Sequence, residues 1–323
     1  VNDSSQPPGR PAKAARFAFT EMVRGMRWVW ALGGLTPAQL ARRVWRGLVH
    51  EDALGRAAEL SYYFLLALFP FLICVSSIAG MFFSSEAGLY ERVLAYLRGV
   101  MPATAFAIVE TTMRDVTAGA GGTRVSLALA AALWTASLGM DALINGLNDA
   151  YDIKEFRPWW KRRLVALALT TVLLTLLLLA LILLLGAEYF GRMLEYRLPG
   201  EWLALILVIA GWTVVVFAAL LGLSVIYLFA PNLTEQRWHA VMPGASVAFT
   251  CWVLASLGLR LYLSWFDSYS KTYGSLGAVI VLLLWLYLSA AAILVGGEVN
   301  AQIRSAAAEA GAAEAQRIRE ASP

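Results

Sequence analysis

Asp141, Asn145 and either Asn148 or Asp149 recur along the end of one apolar run at separations of three or four residues. A helix stacks such positions on one face. An ionisable group in hydrocarbon costs about 2.5–3.5 kcal/mol at the bilayer centre and less toward the headgroups, so this face is expected to turn into protein. Glu59, Tyr62 and Tyr63 open another apolar run, and Glu298 and Asn300 close a third. Together these nine residues are candidates to line a water-filled vestibule that receives a charged or zwitterionic solute or a lipid headgroup. The competing reading makes them salt bridges and caps that fasten three helices together. Arg56, Arg163, Arg237 and His239 are the candidate basic partners.

Other chemistries lack their residues. The two histidines, His50 and His239, stand in different segments and outside any HxH or HExxH spacing, so the sequence offers no zinc or two-metal hydrolase set. It also has no phosphate-binding GxxxxGK[ST] loop, GxSxG elbow or dinucleotide fingerprint. An intramembrane enzyme would need a paired base and nucleophile that the chain does not present. No cofactor is expected. Cys74 and Cys251 lie in apolar runs without a CxxC partner and read as packing residues.

The elements that must position the polar residues are long. Among 323 residues, 59% are hydrophobic and 15% charged; soluble domains carry about 25% charge. Mean hydropathy is +0.65. Six apolar stretches run roughly over 62–83, 125–147, 164–186, 203–229, 240–263 and 275–299. Each is near or above the ~20 residues that a helix needs to cross the hydrocarbon. The expected fold is therefore all-α: a polytopic membrane protein with six transmembrane helices. Membrane lipids are its expected surroundings.

Charge orients the helices. The net charge of +4 is concentrated in one set of loops, with Arg42, Arg43, Arg46 and Arg56 before the first span, Lys154, Arg157, Lys161, Arg162 and Arg163 after the second, and Arg304, Arg317 and Arg319 after the sixth. Basic loops stay on the cytoplasmic side, so both termini are expected there, in a bacterial inner membrane. This distribution explains the positive charge without a nucleic-acid partner. The basic, broken lead lacks the pattern of a cleavable signal, so the first span is expected to be retained.

The sequence divides into a flexible basic lead over 1–35, a membrane domain over 36–303 and a cytoplasmic tail over 304–323. Thr36-Pro37-Ala38-Gln39 carries a capping box. Leu40, Val44 and Leu48 then form an apolar stripe opposite Arg42, Arg43 and Arg46, giving an amphipathic helix that either lies in the interface or packs under the bundle. Helical spacing of Leu89, Val93, Leu94, Leu97 and Val100 predicts a helical outer loop within 84–124. Pro70 and Pro243 are expected to bend the first and fifth spans. The third span, free of ionisable residues, is expected to contribute least to any pathway and can face lipid or a second copy in a homo-oligomer.

These motifs resemble a known family. Ala57-Ala58-Glu59-Leu60-Ser61-Tyr62-Tyr63 with Leu68-Phe69-Pro70, the run from Trp134 to Asp141 continuing to Asn148-Asp149-Ala150-Tyr151, and Tyr273-Gly274-Ser275-Leu276-Gly277 with Gly297-Glu298-Val299-Asn300 are similar to motifs of the YihY/BrkB family. The resemblance spans about residues 35–303 and implies a six-helix bacterial inner-membrane protein. The family is named after a serum-resistance (virulence) factor and was long mislabelled ribonuclease BN; some members are suggested to move lipids. The expected function is transport of an amphipathic or charged small molecule, with an anionic lipid as first cargo, through the inward-facing vestibule. The alternative is a scaffold or envelope-assembly factor that moves nothing.

Overall fold

The computed structural model describes residues 32–83, 122–195, 201–233, 236–265 and 269–321, with isolated helical positions at 94, 95, 98, 106 and 110. Regular structure among the described residues is entirely helical. After a single 3-10 turn at Leu32–Gly34 come α1 (Pro37–His50), α2 (Ala53–Phe83), α3 (Gly122–Ala150), α4 (Trp159–Glu195), α5 (Glu201–Phe229), α6 (Trp238–Trp265) and α7 (Tyr269–Ala321). Four segments of these are long and apolar enough to cross a membrane: Trp159–Ala180, Ile209–Phe229, Trp238–Ser264 and Val279–Gly311. The first two apolar stretches are helical within α2 and α3. The lead before residue 32, and the expected outer-loop helices apart from those isolated positions, lie outside the described residues.

Each helix from α2 to α6 packs on its successor, and α7 returns to α2 and α3, closing a ring. Leu164, Val172, Leu177, Leu179 and Leu183 of α4, with Ile206, Ile209 and Phe217 of α5, remain exposed on the bundle. This surface is suited to lipid, which solvates apolar side chains but no backbone group. Helical hydroxyls also find partners on their own helices: Thr170, Thr171 and Thr175 donate to the carbonyls four residues back at 2.7–2.8 Å. The main core lies toward one end of the ring, where Leu60, Leu143, Ile144, Leu147, Tyr227, Val241, Ala290 and Leu294 meet.

Local signals define that end. The Thr36 hydroxyl accepts from the Gln39 amide, and the Gln39 side chain accepts from the Thr36 amide, so the capping box forms as its residues dictate. At the turn of the α3–α4 hairpin, on the same end, Ile153 N–H donates to Asn148 C=O and Asp152 N–H to Asp149 C=O, both at 2.8 Å. This is a Schellman closure, with Asp152 at φ 50° in the left-handed position that glycine usually takes.

Between the two placements open to α1, the fold selects packing against the bundle. Leu40 and Val44 are buried with Val299 and Ile303 of α7, while Trp45 stays outside at 69% exposure. The turn before α1 also rests on α7: Gly33, at φ 65°, lies so close that a Cβ would stand 2.8 Å from the Ile303 carbonyl oxygen. Arg43 adds a bidentate pair with Glu309 at 3.0–3.1 Å, a surface contact worth about 0–1 kcal/mol. The segment beyond 303 is a continuation of the last helix, which runs 53 residues to Ala321 through alanine-rich sequence.

Pro243 lies inside α6, and Asn300 of α7 meets the α6 backbone beside it. Asn300 accepts from Gly244 N–H at 2.8 Å and donates to Val241 C=O at 3.1 Å. The helices approach so closely that a Cβ on Gly296 would lie 2.5 Å from the Gly244 oxygen and 2.4 Å from the Tyr227 hydroxyl. Pro70 falls within the helical run of α2, but its side chain lies outside the described residues. Gly296→Ala is expected to cost about 1–3 kcal/mol through overpacking, read as a lower unfolding temperature in detergent. Gly258→Ala, whose Cβ would meet nothing within 4 Å, should show no such loss.

Candidate functional site

The nine candidate residues divide among several places. Asp141 and Asn145 face α4, where Arg162 reaches both. Its Nε stands 2.8 Å from Asp141 Oδ1 as a charge contact, its Nη2 donates to Oδ2 at 3.1 Å, and its Nη1 approaches Asn145 Oδ1 at 3.5 Å. The expected cationic partners for these acids did not include Arg162. Neighbouring Arg163 is buried and turns to the start of this α3 face, donating to Trp134 C=O at 3.1 Å with its guanidinium 4.2 Å from the Trp134 ring centre.

Asn148 binds two loops instead. Its amide donates to Glu155 at 2.8 Å and its oxygen accepts from Asn232 N–H at 2.8 Å. Glu155 receives both Arg157 Nε and Nη2 at 2.8 Å, and Arg157 also donates to Ala230 C=O. Burial pushes the Glu155 carboxyl up, but the bonds from Arg157 and Asn148 outweigh it and hold the group below its ordinary value. This fork joins the α3–α4 and α5–α6 links, and the sequence spacing of Glu155 and Arg157 did not single it out.

Asp149 turns to α2 and pairs with Arg56, whose Nε also donates to Glu51 C=O at 3.1 Å. Beside them Glu298 is 1% exposed, with Oε1 accepting from Gln302 at 2.8 Å and Oε2 without a hydrogen-bond partner. Asp141 and Glu298 therefore have separate partners. Asn300 is occupied by the α6 backbone. Glu59 and Tyr62 are exposed on α2, and Tyr63 is half-buried, its ring 5.8 Å from that of Tyr62. Tyr151, part of the family motif but not one of the nine candidates, accepts a bond from Gln236 at 3.3 Å, and burial raises its pKa. No group of three or more His, Cys, Asp or Glu among the described residues could hold a metal ion.

A void lies on a different side. A cavity of about 420 Å³ opens between α4, α5, α6 and α7. Leu173, Leu177, Ala219, Phe249 and Ile293 represent its four walls. The third apolar span, expected to contribute least to a pathway, thus supplies one wall. Ser289, its polar lining residue, is already engaged: it accepts from Trp252 Nε1 at 3.0 Å and donates to Trp285 C=O at 2.8 Å.

A double-mutant cycle of Asp141→Leu and Arg162→Met in chemical unfolding should return a coupling energy of about 0.5–3 kcal/mol, with each single variant less stable than the pair removed together. Glu155 has a folded pKa below its unfolded value of 4.5. Its stabilisation is therefore complete above that value and is lost as pH falls through the folded one. Thermal melts of Glu155→Gln should lie below wild type at neutral pH and converge with it in acid.

Comparison with known proteins accords with this architecture. The family profile described as Virulence factor BrkB matches residues 44–319. A Bacillus subtilis (strain 168) protein named putative ribonuclease-like protein YfkH is 37% identical over 257 residues, covering 79% of this chain and 91% of that one. A UPF0761 membrane protein of Alkalilimnicola ehrlichii is 30% identical over 89% of this chain and 62% of its own. A Photobacterium profundum member of UPF0761 is 27% identical over 80% and 78%. No solved structure matches. The helical ring, its apolar spans and the profile match over most of the chain place it in the BrkB virulence-factor family of membrane proteins.

Proposed function

We propose that this protein moves an amphipathic lipid, with an anionic phospholipid as the first cargo, across the bacterial inner membrane. The observation that carries the reading is the apolar cavity of about 420 Å³ between four membrane helices, a size within the ~300–1,000 Å³ of ordinary ligand sites. Empty space at hydrocarbon depth forfeits dispersion contacts, so an acyl chain is its natural occupant. Tyr227 stands beside the cavity, donating to the carbonyl of the lining residue Ile293 at 2.7 Å. Beyond it lie Glu298 and Asn300.

In this reading six helices, α2 to α7, span the bilayer. The end bearing Arg43, Arg56, Arg157, Arg162 and Arg163 faces the cytoplasm, with both termini on that side. Asp149 lies at the inward end with Glu298 covered by α1 beside it, Glu59, Tyr62 and Tyr63 meet headgroups at the outer surface of α2, and Pro243 supplies the bend that Asn300 supports. Asp141 and Asn145 act as a tie to Arg162 rather than as cargo contacts. The protein acts without enzymatic chemistry, ribonuclease chemistry included. The scaffold alternative draws on a specific observation of its own: Asp141, Asn148 and Asn300 all have interhelical or loop partners.

The test is flux of a fluorescent anionic phospholipid in proteoliposomes. Ala219→Phe, which fills the cavity, should lower wild-type flux about tenfold or more, equivalent to about 1.4 kcal/mol on the barrier, while the protein remains folded by circular dichroism. Undiminished flux in the filled variant, or no wild-type flux across anionic and zwitterionic lipids, would contradict the transport reading and favour the scaffold.

A further inference from the structure

Glu298 is the buried acid that the ties described above do not absorb. Its carboxyl is covered by α1 so closely that a Cβ on Gly47 would stand 1.8 Å from Oε1. One oxygen accepts from Gln302, and the other has no hydrogen-bond partner although the residue is 1% exposed. No cation pairs with Glu298 among the described residues. Arg43, Arg56, Arg157 and Arg162 pair with Glu309, Asp149, Glu155 and Asp141 instead.

The surroundings add negative charge. Glu51 caps the end of α1 and feels Glu298, Asp149 and Asp152, with Arg56 the opposing charge. Tyr151 faces the same group from the end of α3, with Arg304 of α7 nearby. A buried carboxylate with a free oxygen, no cation and further acids beside it is strongly disfavoured in its charged form. With no metal-holding group among the described residues, the cation that fits is a proton.

We propose that Glu298 is a proton-binding site, in which a proton delivered by hydronium resides on its unpartnered Oε2 and is stabilised by the neighbouring Glu51 carboxylate under the cover of α1. Binding adds one proton to the Glu298 carboxylate, leaving a neutral acid and water, and release reverses it. Titration of Glu51 is coupled to this event: burial and then the charges of Glu298 and Asp149 push the Glu51 carboxyl up to about 7. The site does not depend on the identity of the cargo.

Infrared difference spectra of the full chain in lipid nanodiscs, recorded across a pH titration, test this directly. The wild type should show a protonated-carboxyl C=O band that is lost in Glu298→Gln, a substitution that keeps the volume and can retain the Gln302 bond. In Glu51→Gln the band should persist with its midpoint shifted to lower pH, because a negative neighbour that favours the proton is gone. Thermal melts establish that both variants are folded. A spectrum of folded Glu298→Gln identical to wild type would overturn the proton site. A Glu298 band unmoved by Glu51→Gln would overturn the stabilisation by Glu51.

Discussion

Polar groups carried toward the depth of hydrocarbon are unfavourable unless the protein itself supplies their partners, and this requirement organises the bundle. Asp141 brings α3 to α4 through Arg162, and Asn148 gathers two loops through Glu155 and Asn232. Asn300 supplies partners to the α6 backbone beside Pro243. These contacts require close helix approach, which Gly244 and Gly296 permit. The apolar core then forms around the ties, while the remaining helix surfaces are left to lipid.

Against that pattern Glu298 stands out, because its burial is complete and its partners are not. The α1 helix is part of the same arrangement. It is seated by Leu40 and Val44 against the extended α7, with Gly47 over the carboxyl and Glu51 at its end. An amphipathic helix in this position closes the polar end of the ring. Its exposed face, including Trp45, remains free of the bundle. The apolar cavity and the polar end are therefore neighbours along α7 but different in chemistry, with Tyr227 between them.

Much of the helical architecture was legible because hydrophobic run length and local caps report on short-range physics. The capping box at Thr36 and Gln39 and the amphipathic stripe of α1 are examples. Helical spacing identified Asp141, Asn145, Asn148 and Asp149 as a polar face but not their separate partners. That separation arises from the link between α3 and α4: Asp152 closes the helix and returns Arg162 to Asp141, while the fork of Arg157 and Glu155 captures Asn148. Partner choice of this kind depends on helix rotation and loop path, which periodicity does not encode. The cavity was illegible for a related reason, since its walls are ordinary apolar residues drawn from four helices.

An apolar cavity and a polar end adjoin along α7 in one membrane protein, and lipid occupancy of that cavity tests the transport proposal most directly. Cryo-electron microscopy of the protein in nanodiscs of phospholipid brominated along the acyl chain would locate the lipid tails. The account predicts bromine density between α4, α5, α6 and α7, against Leu173, Ala219 and Ile293. A space closed by the protein's own side chains, or bromine confined to the outer surface of the ring, would contradict it.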